Sequence, residues 1–370
     1  MAGRTPDATV CYKTAKTGSL EVPVLFDAYL PPSLVSKDVP APAVIYFHGG
    51  GMTVGNRQAW FPKWFYGELC KSKRVMTLGY VFISADYQLL PAATGHDVVE
   101  DVKGLFSFLS DRQIKSESGA VVKIDISRVA VTGSSAGGLC AYLASIHCSP
   151  RPKALVSLYG MGGDFLTRHY LEFKTQAFDR NRELLDPADF KEYMYPLEEG
   201  SLGRIPVTDS PLAYHPPTYH IPGYPANPRQ LLCRLIIQIG TFLDYWTGAH
   251  DPSLSAKLMN TLAETEGGER DQAVQALASF ISEEHKDVFP QFQVDSKWPP
   301  TLLLHGTADS AVPLSETLNM QRLLQKAEVP VELLTFEGME HSFDYNPKAA
   351  EVFSSDLDKV KRFLERHLQQ

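Results

Sequence analysis

The sequence has 370 residues, of which 44% are hydrophobic and 21% charged, with 26 glycines and 26 prolines. These proportions are ordinary for a globular protein and exclude disordered and collagen-like chains. The formal net charge is −8, and no basic cluster occurs along the chain, so nucleic acid is not expected as a partner. Five cysteines are too few for a disulfide framework, and their number is odd.

The N-terminal region lacks the apolar core of a secretory signal, and no apolar stretch reaches the roughly 18 residues of a membrane span. The most apolar stretch, Leu231–Leu243, is interrupted by Arg234 and Gln238. We therefore expect a cytoplasmic protein without stable membrane insertion, although a chain whose signal has been removed stays an alternative. The sequence leaves a homodimer open.

Short continuous apolar runs alternate with segments of helical period, which is typical of a mostly parallel sheet covered by helices. Two N-terminal segments, Val10–Thr14 and Val22–Leu30, are predicted to enter this sheet as antiparallel strands. Buried strands are predicted at Ala43–Phe47, Tyr80–Ala85, Val129–Val131, Ala154–Leu158, Thr301–Leu304 and Val331–Leu334. Apolar stripes predict helices that contain the segments Val98–Leu109, Leu318–Leu324 and Val352–Leu364.

This alternation stops between about Gly162 and about Lys297. The segment contains helical pieces and a proline-rich stretch but no strand-like run followed by a crossover helix. The helical pieces are Leu231–Phe242, predicted to be a core helix of this region, Leu254–Thr265 and Asp271–Glu284. The sequence therefore predicts an α/β core of residues 1–161 and 298–370, interrupted by a mainly helical cap of residues 162–297.

The strongest chemical signal is the Gly-x-Ser-x-Gly motif at Gly133–Gly137, with a predicted strand before it and an apolar helical run after it. In this context the motif predicts a nucleophile elbow, a tight strand-to-helix turn that presents Ser135 above the sheet. The alternative is a glycine-rich turn with an incidental serine. A helix that begins directly after Ser135 would direct its positive N-terminal end at a developing anion.

A second signal is the His-Gly-Gly-Gly motif at His48–Gly51, which follows another predicted strand. Consecutive glycines cost backbone entropy and are tolerated mainly where the backbone must approach something closely. A phosphate-binding loop is the rival interpretation, but no following Lys-Ser/Thr and no Gly-x-Gly-x-x-Gly spacing occurs. Backbone N–H groups of such a loop would form an oxyanion hole with the residue after the nucleophile, and His48 is predicted to be structural rather than a catalytic base.

Two further motifs supply an acid and a histidine that could act together with Ser135. Asp309 lies just beyond the predicted strand Thr301–Leu304, and His341 lies in the loop after the next strand. The chain order Ser135, Asp309, His341 matches the order of the nucleophile-elbow scaffold. Asp309 is preferred to the nearby carboxylates because its loop follows a strand immediately. The other nearby carboxylates are Glu337, Glu340 and Asp344.

Together these motifs resemble those of α/β-hydrolase serine esterases of the hormone-sensitive-lipase-like group. The resemblance also includes Asp86–Leu89 and the Gly-Met-Glu-His-Ser-Phe segment Gly338–Phe343. It implies an α/β-hydrolase fold with Ser135 as nucleophile, His341 as base and Asp309 as orienting acid. It also implies an oxyanion hole formed by the N–H groups of Gly50, Gly51 and Ala136.

Three features depart from this group. The acid loop, His305–Pro313, is more similar to those of small carboxylesterases and oligopeptidase catalytic domains, Ser134 replaces the common acidic residue, and the N-terminal segment is short. The expected activity is hydrolysis of a small-to-medium apolar ester or lactone, without a metal or cofactor. The same triad would also serve amide hydrolysis, transacylation, or the release or cyclisation of a biosynthetic thioester.

A ligand-binding receptor on the same fold is an alternative of a different class. Such receptors characteristically lose a triad member, whereas this sequence keeps all three. The scattered histidines of the predicted cap lack metal-ligand spacing, so structural or solvated roles are expected. They are His215, His220 and His250.

Overall fold

The computed structural model describes residues 5–31, 39–66, 80–265 and 269–368. Its central feature is a nine-stranded sheet with the order β1-β2-β4-β3-β6-β7-β8-β9, in which β5 pairs with β6. The strands are β1 (Ala8–Thr17), β2 (Leu20–Tyr29), β3 (Ala41–Phe47), β4 (Val81–Ala85), β5 (Gln113–Lys115), β6 (Val121–Ser134), β7 (Ala154–Leu158), β8 (Thr301–Gly306) and β9 (Val331–Phe336).

The strands from β4 to β9 along the sheet order pair in parallel, while β1 and β2 form the antiparallel edge. Every predicted strand is therefore present, and the predicted mixed sheet is confirmed. The main difference is β6, which is much longer than Val129–Val131. Its first three residues pair with β5 outside the main sheet order, and continuous burial begins at Val129.

Helices cover both faces of this sheet. The helices are α1 (Gly95–Asp111), α2 (Ala136–His147), α3 (Arg168–Leu171), α4 (Arg229–Gln238), α5 (Phe242–Thr247), α6 (Leu254–Glu264), α7 (Arg270–Ala278), α8 (Glu283–Lys286), α9 (Leu314–Lys326), α10 (Ala349–Val352) and α11 (Ser354–Leu368). Along β3, Ile45 packs into the larger core with α1 and α2, and its neighbours Val44 and Tyr46 pack into the core with α11. This alternation follows from the two-residue period of a strand.

Two residues of the predicted apolar helix stripes are exposed to solvent instead of buried. Leu318 is 45% exposed and Val352 is 66% exposed. In α9 the inward positions are taken partly by polar side chains, among them Glu316 and Thr317, so the apolar pattern alone misplaced the buried face. Val352 ends the short helix α10, so it does not continue the buried stripe of α11.

The segment between β7 and β8 contains helices α3–α8, and its described residues add no strand to the sheet. It is less helical than predicted, because long irregular stretches and turns join these helices. The predicted helix at Leu231–Phe242 is interrupted at Gly240, where φ is +67° and a Cβ would lie 2.5 Å from the carbonyl oxygen of Leu171. The predicted helix at Asp271–Glu284 is likewise two helices, α7 and α8, because Ser282 caps the second one. Within the four described ranges no helix has the length and apolar character needed to cross a bilayer.

Candidate active site

Ser135 occupies the turn between β6 and α2, with φ 55° and ψ −122°. This backbone region is strained for a residue with a side chain and persists only where the surroundings enforce it. The flanking glycines show how tight the turn is: a Cβ on Gly133 would lie 2.1 Å from the oxygen of Gly137, and one on Gly137 would lie 2.0 Å from the oxygen of Phe47. The turn has the form of the predicted nucleophile elbow.

The structure brings Ser135, His341 and Asp309 into one hydrogen-bonded row. Ser135 Oγ lies 2.9 Å from His341 Nε2, and His341 Nδ1–H donates to Asp309 Oδ2 at 2.7 Å. The other carboxylate oxygen, Asp309 Oδ1, accepts the N–H groups of Ala311 and Val312 at 3.0 and 2.9 Å. A hydroxyl, a base and an oriented acid at these distances have the geometry required for proton removal during nucleophilic attack.

A second histidine also contacts the acid, and sequence reasoning assigned it no role. His305 is fully buried at the end of β8, with Nε2 3.2 Å from Asp309 Oδ2 and 2.9 Å from the oxygen of Val312. Its Nδ1 lies 2.7 Å from Thr317 Oγ1, which fixes the ring. The signal was present in the sequence, because His305 precedes Asp309 by four residues at the end of the same strand.

Two histidines therefore set the charge state of Asp309. Burial acts to raise the pKa of this carboxyl, but hydrogen bonds from His305 and His341 outweigh it and hold the pKa well below its usual value. Asp309 is thus an anion throughout the neutral range, as required of a group that stabilises an imidazolium.

The other carboxylates near the histidine have different partners. Asp344 accepts the hydroxyl of Tyr159 at 2.5 Å and the indole N–H of Trp64 at 2.7 Å, and burial raises its pKa. The Tyr159 ring lies edge-on to His341, with 4.6 Å between ring centroids. Glu337 is exposed, and Glu340 is bonded to the Ser310 hydroxyl.

The predicted oxyanion residues lie on the two loops that meet at Ser135. Gly50 and Gly51 have φ values of +113° and +59°, which glycine adopts without strain. Ala136 is the first residue of α2, so its N–H is one of the free donors at the helix N-terminus. Within the described ranges, none of these three N–H groups donates a hydrogen bond. Their assignment to an oxyanion hole stays a prediction.

The segment between β7 and β8 packs directly against the loop of Gly50 and Gly51. A Cβ on Gly51 would lie 2.4 Å from Cβ and Sγ of Cys233, which belongs to α4. At the start of the same helix, Arg229 Nε donates to the oxygen of Thr53 at 2.8 Å, and Thr53 Oγ1 donates to the oxygen of Arg229 at 2.9 Å. Helix α4 therefore fixes the outer side of this loop.

His48 lies beneath the loop, as expected for a structural residue. Its buried ring stacks on Tyr87 with 4.4 Å between centroids, and its Nδ1 is 2.7 Å from the oxygen of Gly49. Burial lowers the pKa of His48 to about 4, so the ring is neutral at pH 7.

The three histidines of the predicted cap pack against tyrosines. His215 stacks on Tyr219 at 4.0 Å and His250 on Tyr195 at 4.1 Å between centroids, whereas the His220 ring is tilted against Tyr219. In the part of the chain that the structure describes, no group of three or more His, Cys, Asp or Glu side chains is arranged to hold a metal ion.

Two families match separate parts of this chain. The BD-FAE family matches residues 26–160, and the prolyl oligopeptidase family matches residues 257–370. The second match contains the acid loop, whose likeness to oligopeptidase domains the sequence motif indicated.

The chain is similar to curated proteins of two kinds. It is 31% identical over 124 residues to the probable carboxylesterase M8 of a Phoma species, which is 32% of this chain and 37% of that protein. It is 24% identical over 357 residues to the non-reducing polyketide synthase Preu3 of Preussia isomera, and 23% identical over 364 residues to the non-reducing polyketide synthase ausA of Aspergillus calidoustus. These two matches cover 92% and 94% of this chain but 13% and 14% of the synthases.

Solved structures share the fold over nearly the whole chain. Esterase 2 of Thermogutta terrifontis with butyrate bound is 18% identical, with a TM-score of 0.52 over 97% of this chain and 94% of that one. A protein of unknown function from Staphylococcus aureus is 15% identical, with a TM-score of 0.56 over 96% and 98% of the two chains. The sheet order, the elbow and these matches show that the chain has the α/β-hydrolase fold that the sequence motifs implied.

Proposed function

We propose that this protein is a serine hydrolase of carboxylic esters in which Ser135 is the nucleophile, His341 the base and Asp309 the orienting acid. The observation that carries the proposal is the continuous row from Ser135 Oγ through the imidazole to the Asp309 carboxylate, with separations of 2.9 and 2.7 Å. The carboxylesterase and esterase matches support the same class of reaction.

The geometry permits a two-step reaction. His341 Nε2 takes the Ser135 proton while Oγ attacks the ester carbon, and the N–H groups of Gly50, Gly51 and Ala136 stabilise the oxyanion. Each such donor typically contributes roughly 2.7–4 kcal/mol to the transition state. The imidazolium then protonates the departing alcohol, which leaves an acyl-enzyme on Ser135. Water attacks this ester with the same base, and the acid is released.

In this proposal residues 162–297 form the cap, which roofs the serine and selects the substrate. Its helix α4 touches the oxyanion loop through Cys233, so the cap bounds the space beside the reacting carbonyl. The proposed substrate keeps the small-to-medium apolar acyl or alcohol group expected from the sequence. The cytoplasmic location and the homodimer stay predictions from the sequence.

A second candidate is cleavage of a polyketide-type acyl thioester or ester. It is favoured by one observation, the similarity to non-reducing polyketide synthases over more than nine tenths of this chain. An acyl-enzyme on Ser135 would form in the same way, with a thiol as the leaving group. Cyclisation would follow if a hydroxyl of the bound acyl group attacked instead of water.

Two measurements test the main proposal. We expect turnover of p-nitrophenyl esters from acetyl to dodecanoyl, with the fastest rates at short and medium chains and none in Ser135→Ala. A fluorophosphonate should add to Ser135, as judged by mass spectrometry. Ser134→Ala is the matched control, because Ser134 Oγ lies on the same elbow but bonds to Tyr46 at 2.8 Å. The control should still form the adduct. Unchanged turnover in Ser135→Ala would overturn the nucleophile.

A further pair of substrates separates the two candidates. An oxygen ester and an N-acetylcysteamine thioester of the same aromatic β-ketoacyl group present equal acyl chains with different leaving groups. A kcat/KM at least tenfold higher for the thioester, beyond the ratio of their spontaneous hydrolysis rates, would favour the second candidate. Tight ligand binding without turnover of either would favour the receptor alternative.

A further inference from the structure

A strained turn of the cap lies over both catalytic loops. Residues 178–182, here called the cap tip, are closed by an antiparallel bridge between Phe178 and Arg182. The three residues between them are Asp179, Arg180 and Asn181, with φ values of 46°, 62° and 53°. None is a glycine, so this left-handed run is unfavourable by itself and requires contacts that hold it.

Arg180 makes those contacts with the core. Its backbone N–H donates to Ser310 Oγ at 2.8 Å, one residue after Asp309. Its guanidinium donates to the carbonyl oxygen of His341, and Arg180 Nε lies 3.6 Å from Glu340 Oε2. A single residue of the cap therefore touches the loops of the acid and of the histidine.

Glu340 holds the opposite side of the histidine backbone. Its carboxylate accepts the N–H of His341 at 2.8 Å, as well as the hydroxyl and the N–H of Ser310. Partial burial acts to raise the pKa of Glu340, but hydrogen bonds from Ser310 and His341 outweigh it and lower the pKa, so the group is an anion near Arg180. Both polar backbone atoms of His341 are thus bound, one by the core and one by the cap.

The histidine loop needs such support because its own backbone is unfavourable. Ser342, directly after His341, has φ 63° and ψ 29°, a left-handed conformation in a residue that is not glycine. Displacement of a catalytic group by about 1 Å costs on the order of 100-fold in rate. A bond to the His341 carbonyl therefore bears directly on where the imidazole stands relative to Ser135 Oγ.

From this geometry we infer that Arg180 is a positioning residue for His341, so that the histidine loop is complete only when the cap tip is seated on the core. The inference rests on the proposed function, in which His341 is the base. It assigns the cap a part in the chemical step as well as in substrate choice. Both partners of the Arg180–Glu340 pair are more than a third exposed, at 34% and 38%, and exposed pairs add little to stability. Arg180→Ala also keeps the backbone bond to Ser310 that holds the tip, so its effect should appear in the rate, with little change in the melting temperature.

The test compares Arg180→Ala, Arg180→Lys and the control Arg182→Ala. Arg182 belongs to the same strained tip but pairs with Asp179 at 3.6 Å. With p-nitrophenyl butyrate we expect Arg180→Ala to lower kcat about 10- to 100-fold and to change KM no more than about twofold. Arg180→Lys should recover part of the loss, since its ammonium also donates, and Arg182→Ala should stay within about twofold of the unmutated protein.

The rate of fluorophosphonate addition gives a readout that does not depend on ester turnover. It should fall in Arg180→Ala in parallel with kcat, because the same base activates Ser135, while the melting temperature changes little. Equal kcat and addition rates in Arg180→Ala and the unmutated protein would overturn the inference alone. Equal losses of kcat and addition rate in Arg182→Ala would also overturn it, since any damage to the cap tip would then have the same effect as loss of the Arg180 side chain. An adduct that persists in Ser135→Ala would instead overturn the proposed function.

Discussion

Replacement of Asp309 by asparagine tests the charge relationships of the site most directly. The carboxylate receives four donors: the N–H groups of Ala311 and Val312 on one oxygen, and imidazole nitrogens of His341 and His305 on the other. An asparagine side chain has nearly the same size and shape as aspartate, but an NH2 donor replaces one of the two acceptor oxygens. Whichever way the amide is oriented, its NH2 group faces two of the four donors.

The loop N–H groups are fixed by the backbone, so we expect the amide oxygen to stay with them and the NH2 group to face the histidines. His341 would then accept at Nδ1 and carry its proton on Nε2, the nitrogen that must take the proton of Ser135. The corresponding substitution in a serine protease lowers kcat about 10⁴-fold for this reason. We expect a loss of about 10³–10⁴ here, equivalent to roughly 4–5.5 kcal/mol in the activation barrier.

The assay is kcat/KM with p-nitrophenyl butyrate, together with the melting temperature. The matched control is Asp344→Asn, a buried carboxylate beside the same histidine loop that is bonded to Tyr159 and Trp64. We expect this control to lose at most about tenfold, since its effect on His341 is indirect. Activity of Asp309→Asn within tenfold of the unmutated protein, or an equal loss in Asp344→Asn, would show that the charge of Asp309 does not control His341.

Two further predictions concern Gly51 and the buried carboxyl of Glu316. Gly51→Ala should lower kcat by about 100-fold or more, because the added methyl meets Cys233 at 2.4 Å and moves the proposed oxyanion loop. Gly18→Ala is the control and should leave kcat unchanged, since Gly18 has a similar φ of +61° but open space around it. Equal kinetics in the two variants would contradict the prediction. Glu316 is buried, accepts the hydroxyl of Tyr170 and has its pKa raised by burial from 4.5 to about 8. Because the folded state then binds more protons than the unfolded one, stability should fall as the pH rises from about 4.5 to 8. Melting curves across this range should show a smaller fall for Glu316→Gln, and an unchanged pH dependence would count against the raised pKa.

The strands and the elbow that carries Ser135 were predictable because their signals are local. Continuous apolar runs marked the strands, and glycines at fixed distances from Ser135 marked the elbow, since each flanking position is closed to a Cβ by backbone atoms. The placement of Asp309 and His341 followed from chain order alone, because loops after neighbouring parallel strands emerge at the same edge of the sheet.

The burial of individual helix faces was less predictable. Leu318 was expected inside α9, but Glu316 takes an inward position because it can bond to Tyr170 and to the N–H of Gly162. Hydropathy alone gives no weight to such partners, since they become neighbours only after folding.

The sequence by itself determined which segments are strands, the elbow motif and the three residues of the candidate triad, because each depends on short-range pattern or on the sense of parallel strands. The order of the strands in the sheet came from the structure. Tertiary structure alone decided what surrounds them: His305 on the acid, Cys233 against Gly51, and Arg180 on the carbonyl of His341. Arg180 and His341 are 161 positions apart, and the cap tip reaches the histidine loop through an irregular left-handed turn. No periodicity encodes such a contact, because it depends on how the whole segment between β7 and β8 packs against the rest of the chain.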